Sequence, residues 1–404
     1  MTDEIASAEL RIAGAVKAVP RAAWDALANP GWRLGERGRL AAEAPAAPFN
    51  PFVCHDFLSI LEEAGCVRAE TGWLPRHLLL AGRDGGFLGA APAYLKSHSF
   101  GEYVFDHGWA DAFERAGGQY YPKLQVAVPF TPATGPRLLA GAGPGVEAVR
   151  GRLAGGLVAL ARQDDASSVH VTFATPEERA LLAAEGWLAR TDRQFHWVGE
   201  GWTTFDDFLG CFASRKRKQV KRERREAVAA GVEIERLTGE ALTEAHWDAF
   251  YRFYRDTGER KWGRPYLNRR FFSLLGERLA HRVLLVMARR EGRWIAGALN
   301  IIGSDTLYGR YWGAIEDHPF LHFEVCYHQA VEYAIEHGLG RVEAGAQGEH
   351  KLARGYRPVE TGSAHWIADP RLAGAVERYL REERAAVAAE VEILTEHAPF
   401  RHGE

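Results

Sequence analysis

Residues 341–358 read RVEAGAQGEHKLARGYRP, a short apolar strand that runs into a glycine-punctuated loop carrying Gln347, Glu349, His350, Lys351, Arg354 and Tyr356. This is a polar site at a strand end. Lys351 and Arg354 stay cationic at neutral pH and suit a phosphate or carboxylate, whereas Glu349 or His350 is the better proton acceptor. The same charges also fit a merely solvated loop. Glycines at 345, 348 and 355 favour a built site over that reading.

Two further groups of residues carry chemistry. In LYGRYWGA (307–314), strand alternation sends Arg310 and Trp312 to one face and Tyr311 to the other. An arginine among aromatics needs a partner, so Arg310 either pairs with an internal carboxylate such as Glu324 or Glu343 or faces a substrate. Glu324 falls at the edge of the apolar face of a helix over 320–339, where it serves either catalysis or the helix N-terminus. A metal reading of His318, His322, Glu324 and His328 is weaker, because Pro319 interrupts the pair at helical spacing and no cysteine pair assists. In the first half, Glu102, Asp106, His107, Lys123 and Gln125 lie in aromatic surroundings and are read either as surface polar groups or as the lining of an acceptor cleft.

The elements that must hold these residues follow from pattern and punctuation. The spacing predicts a helix over 320–339 closed by Gly338 and Gly340, a hairpin of strands 283–288 and 294–302 around Glu291-Gly292, and a strand over 306–313. Earlier, strands are expected over 10–16, 77–81, 87–94, 124–128, 168–174 and 195–198. Helices are expected over 20–27, 51–65, 146–162 and 176–185, with residues 31–48 as a surface loop. A helix over 205–230 opens the second half, and a charged, alanine-rich helix or helix pair over 369–395 ends it. The similar order of elements in each half predicts two mixed α/β domains, residues 1–198 and 199–404, each around a central sheet.

With 404 residues, 47% hydrophobic and 25% charged, the chain is long enough for two packed cores. A net charge of −3 gives no global attraction to nucleic acid or to an anionic membrane. Four well-separated cysteines, Cys54, Cys66, Cys211 and Cys326, fit reduced thiols better than disulfides or structural zinc. The first residues carry acids where a signal peptide needs bases, and no apolar stretch is long enough to span a bilayer. A cytoplasmic protein without stable membrane insertion is expected.

Blocks along the chain carry a family likeness: GEYVFDH (101–107), YYPKLQVAVPFTP (120–132), SRKRKQVKRER (214–224), LYGRYWGA (307–314), HFEVCY (322–327) and GAQGEHKLARGY (345–356). Together they resemble the FemAB-like predicted N-acyltransferases, relatives of the peptidoglycan Fem peptidyltransferases, over residues 50–382. The resemblance implies two tandem GNAT-like domains and transfer of an acyl or aminoacyl group to a small-molecule or peptidyl amine. Glu349, His350 and Glu324 become the expected catalytic residues. Asp106, His107, Lys123, Gln125, Arg310, Tyr311, Trp312, Gln347, Lys351, Arg354 and Tyr356 become the expected substrate contacts.

No tightly bound cofactor or metal is expected. Acyl-CoA or aminoacyl-tRNA would be a co-substrate. The loop that cradles coenzyme A in GNAT domains is missing before the helix at 320, where the chain has EDHPFLHF. Residues 215–225 hold eight basic side chains in eleven positions and suit tRNA phosphates, or form a solvated helix face. The rival from another class is a non-catalytic binding protein for an anionic peptide, a cell-wall precursor or a lipid headgroup. Consumption of a donor separates the two.

Overall fold

A computed structural model describes residues 5–261, 265–345, 348–396 and 399–400. The chain forms two compact units, each built from three segments. The first takes residues up to Arg33, Leu40–Asp192 and Glu360–Ala388; the second takes Leu34–Arg39, Arg193–Val359 and residues from Ala389. The division therefore differs from a single cut at 198/199. Residues 360–388 go with the first unit because His365 and Ala364 pair in register with His170 and Val171.

In the first unit, Glu9–Ala13, His77–Ala81 and Phe87–Ala91 make an antiparallel three-stranded sheet. A second set of strands runs Trp73–Pro75, Ala93–Lys96, Lys123–Val126 and Ser168–Val171, with the last two parallel. The helix Val146–Gln163 buries Val149, Leu153, Leu157 and Leu160 in the same core. Residues 31–48, read as loop, contain the paired short strands Trp32–Leu34 and Leu40–Ala42.

The second unit orders its strands Val232–Leu237, Val283–Arg290, Arg293–Ile302, Thr306–Ala314, Arg341–Glu343 and the 193–198 stretch. Its hairpin closes at Glu291 and Gly292, with φ of 51° and 74°. Two consecutive positive φ angles are what a two-residue turn needs to match the strand twist. Helices Glu244–Lys261 and Arg269–Leu279, absent from the sequence reading, precede the hairpin. The expected helix over 205–230 is two helices, Phe205–Gly210 and Ser214–Ala227, separated at Cys211 to Ala213.

The helix expected over 320–339 runs from Leu321 to Glu336 and contains one π-helical turn, Glu324–His328. It ends as the glycine predicts. Gly338 has φ 65°, its N–H donates to Ile335, and the Leu339 N–H donates back to Ala334 at 2.8 Å. Val325, Val331 and Ala334 pack on Leu307, Val342 and Trp197 of the sheet.

Candidate active site

Thr306–Ala314 and Arg341–Glu343 run parallel and pair only at Thr306 with Arg341, Leu307 with Val342, and Tyr308 with Glu343. The longer strand continues for six residues beyond that point. On its other side a bulge sets Leu299 opposite Tyr311 and Asn300 opposite Gly309, leaving Arg310 as the extra residue. Bulges bend and twist a strand. Gly309 to Trp312 are half-buried, while Thr306 to Tyr308 are buried. The two strands part after Tyr308 and Glu343, and a crevice at the carboxyl ends of parallel strands is a recurrent ligand position.

The bulge interrupts the alternation expected for Arg310. Tyr311 packs edge-on against Tyr254 at 5.0 Å, and Trp312 lies 5.1 Å from His322. The Arg310 guanidinium stands 5.4 Å from the Tyr311 ring. With ring centres 6.1 Å from His322 and 5.7 Å from Phe323, the exposed His350 shares a 2.9 Å hydrogen bond with the Tyr327 hydroxyl. Gly348 makes that placement possible. Its φ is 118°, and a Cβ there would stand 2.5 Å from the His350 ring.

Four expected residues thus come together: Trp312, His350, Arg354 and Tyr356. Tyr356 is buried 5.7 Å from Tyr327, with a hydroxyl that has no hydrogen-bond partner among the described residues. Lys351 is buried, donates to the Gly345 carbonyl at 3.0 Å, and is pulled down to about 8 by burial. Glu349 belongs to the short helix Glu349–Arg354, but its side chain and the whole of Gln347 lie outside the described residues.

Arg354 and Glu324 have internal partners. Arg354 donates to Glu223 at 2.8 Å and to the His350 carbonyl at 2.7 Å, and its guanidinium lies 3.4 Å from the centre of the Phe323 ring. Glu324 is buried, accepts from Arg224 on both oxygens, and accepts from Gln329 at 2.7 Å. Arg224 also reaches Glu332, which Arg236 shares. A carboxylate tied on both oxygens is poorly placed to take a proton, so Glu324 anchors the basic helix to the π turn. That helix turns Arg224 inward and leaves Arg215, Lys218, Lys221, Arg222 and Arg225 exposed.

The first unit gathers Asp106 and Lys123 in a different way from a surface cleft. Lys123 is fully buried and donates to Ser99 and Glu102 at 2.7 Å each and to Asp106. Tyr120 donates to Asp106 at 2.7 Å. Burial, the largest single influence, works to raise Asp106, but the Lys123 ammonium, His170 and hydrogen bonds from Lys123 and Ser99 together hold the carboxyl well below its usual range. Burial lifts Glu102 to about 7 and lowers Lys96 to about 7. Gln125 is buried and donates to Thr172 at 2.9 Å; of the four expected contacts only His107 is exposed.

Sequence reasoning passed over Glu343 and His196. Glu343 was weighed only as a partner for Arg310, although a carboxylate ending a short apolar strand before a glycine loop is itself a signal. It is 5% exposed, and its Oε1 stands 3.9 Å from His196 Nδ1. Among the described residues neither Glu343 Oε2 nor His196 Nδ1 has a hydrogen-bond partner. Burial raises the Glu343 carboxyl to about 7 against the pull of Arg341 and Arg310, and burial lowers His196 to about 3.

These buried groups set a pH dependence of stability. His170 and His196 are pushed to about 3 by burial, and His328 and His365 well below their usual value. Each binds a proton only in the unfolded chain once pH drops below about 6.5, which costs stability as pH falls. Glu102 and Glu343 act oppositely, since folded carboxyls near 7 lose stability as pH rises from about 4.5 to 7. His98 is lowered by burial as well and Asp25 raised by it, so five histidines stand against three carboxyls and stability rises with pH between about 4.5 and 6.5. We expect thermal unfolding in this window to shift upward with pH, and a flat profile would contradict the buried histidines.

Among the described residues no three His, Cys, Asp or Glu side chains are arranged to hold a metal ion, and His318 pairs instead with Glu316 at 2.9 Å. No described helix is long and apolar enough to cross a membrane.

A mixed sheet with two parallel strands that part beside a helix, within a chain of two compact α/β units, defines the tandem GNAT-like class of fold. The chain belongs to the FemAB-like family, described as peptidoglycan biosynthesis/recognition, which it matches over residues 15–402. Among solved structures it is similar to FemX, at 15% identity and a TM-score of 0.51, covering 79% of this chain and 94% of that one. It is also similar to L-PGS from Bacillus licheniformis, at 10% identity and a TM-score of 0.46, covering 85% and 96%. A tandem GNAT protein from the clavulanic acid biosynthesis pathway has 14% identity and a TM-score of 0.43, covering 90% and 99%. No curated protein matches the sequence.

Proposed function

We propose that the protein is an N-acyl- or aminoacyltransferase of peptidoglycan metabolism, working on an amine acceptor in the cytoplasm, with its reacting centre where the two parallel strands of the second unit part. The parting itself carries the reading: pairing stops at Tyr308 and Glu343, and beyond it stand the half-buried Arg310 to Trp312 and the exposed His350. Acyl transfer needs a neutral amine, a home for its proton, and donors for the carbonyl oxygen. His350 with Tyr327, and Lys351 behind them, supply titratable and donating groups. Family membership supports the substrate area, and the absent coenzyme A loop favours aminoacyl-tRNA or a longer acyl thioester over acetyl-CoA.

Donor consumption tests this directly. Purified protein, a mixture of labelled aminoacyl-tRNAs and a peptidoglycan-precursor amine should release uncharged tRNA faster than acetyl-CoA releases thiol with the same acceptor. Rapid acetyl-CoA turnover would reverse the donor choice. Binding without consumption of any donor would favour the non-catalytic rival.

The exposed part of the basic helix gives a further expectation. If Arg215, Lys218 and Arg222 grip phosphates, changing all three to Gln should weaken tRNA binding and flatten its dependence on salt, by about 0.7–0.9 in slope for each lost contact. Lys221 and Arg222 already have carboxylate neighbours, Asp206 at 2.8 Å and Glu226 at 3.7 Å, which favours a solvated face as the alternative. Filter binding across a salt series decides it: unchanged slopes assign the helix to packing.

A further inference from the structure

Glu343 and His196 occupy the face of the sheet opposite the helix Gln329–Glu336. Val342 and Trp197 pack toward that helix in the core. Strand alternation then sends Glu343 and His196, their neighbours in sequence and each other's register partners, to the opposite face. Pairing with the strand Thr306–Ala314 ends at Glu343, so the two side chains lie beside the point where the ladder stops, on the face away from the helix. Two polar atoms there, Glu343 Oε2 and His196 Nδ1, are buried without a hydrogen-bond partner among the described residues. Buried polar groups are rarely left so, and such a site suits a hydrogen-bonding guest.

We infer that the Glu343–His196 pocket receives the primary amino group of the acyl acceptor and that Glu343 Oε2 takes the proton this nitrogen loses. The inference rests on the transferase reading above. In the step, the amine nitrogen forms a bond to the acyl carbon and the bond from that carbon to the donor oxygen or sulfur breaks. The bonding pair leaves with the oxygen or sulfur. One N–H proton passes to Glu343 and from it to the leaving atom, so the carboxylate is restored and no further reagent is needed.

The surroundings suit the task. The groups that bear on Glu343 are His196 on the adjoining strand, Tyr308 opposite it, Arg310 in the bulge and Arg341 on its own strand. Burial and the two arginines pull its proton affinity in opposite directions and leave it near neutrality, where a general base works best. His196 stays neutral under burial and the charges of Arg341 and Lys351, so it offers a dipole rather than a competing cation.

Infrared difference spectroscopy of the full chain against Glu343→Gln tests the pocket without knowledge of the donor. Gln replaces a carboxyl that is largely protonated below neutrality, so the fold should survive. A protonated-carboxyl band present only in the wild type should disappear with a midpoint of about 7. Methylammonium chloride should lower that midpoint by about half a unit or more, as a nearby cation favours the carboxylate, whereas tetramethylammonium, which has no N–H, should not. A carboxyl already ionised at about pH 5, or a midpoint indifferent to methylammonium, would overturn the inference. If donor is consumed at the wild-type rate by Glu343→Gln, the proton role falls and the transferase reading stands. If methylammonium shifts the midpoint but no donor is ever consumed, the amine pocket stands and the transferase reading falls.

Discussion

Lys123→Met is expected to destabilise the first unit by about 3–5 kcal/mol, because it leaves the Glu102 and Asp106 carboxylates facing each other without their shared cation. Neither carboxylate can turn to solvent, since both are almost fully buried. Lys96 offers little relief: it stands 3.8 Å from Glu102, lies over the Trp73 ring, and titrates at about 7. Adding Glu102→Gln and Asp106→Asn to Lys123→Met should recover much of the loss, since the cost belongs to unpaired charge rather than to the missing amine. Urea unfolding of the wild type, Lys123→Met and the triple variant measures it. A loss under about 1 kcal/mol in Lys123→Met would mean that water already reaches the cluster, and would return Asp106 and Lys123 to the role of substrate contacts.

His350→Ala should lower turnover by about 10²-fold or more with little change in apparent KM, because loss of a hydrogen-bonding side chain held at the reacting centre acts on the transition state. The side chain is exposed, and its removal leaves the Tyr327 hydroxyl free to meet water, so the melting temperature should stay near that of the wild type. Arg354→Ala should behave in the opposite way. It strips Glu223 of a buried cation and Phe323 of its stacked guanidinium, which costs about 3–5 kcal/mol of stability before any effect on binding can be read. Turnover and thermal unfolding on the two variants, side by side, separate chemistry from scaffold. Wild-type activity in His350→Ala would remove His350 from the reacting centre.

Much of the second unit was legible because its signals are local. Glu291-Gly292 announces a two-residue turn, and Gly338 caps a helix wherever the chain goes next. What was not legible depends on partners far away in the chain. Arg354 reads as a phosphate ligand until Glu223, 131 residues earlier, is found against it. Glu324 reads as a catalytic carboxylate until Arg224 occupies both of its oxygens. Lys123 and Asp106, 17 residues apart, read as cleft residues because charge among aromatics looks the same whether it lines a surface or a core. The parting of the strands is equally hidden, since a bulge at Arg310 leaves no mark on the hydrophobic pattern.

Hydrogen exchange on the full chain, with and without a non-hydrolysable aminoacyl-adenosine amide as donor mimic, tests the location of the reacting centre most directly. Protection is expected in residues 309–314, in the first turns of the helix from Leu321 through the π turn ending at His328, and in Glu349–Arg354, with none in the strand Lys123–Val126. Protection confined to other segments, or unchanged exchange across these three at saturating mimic, would contradict a transferase centre at the parting strands.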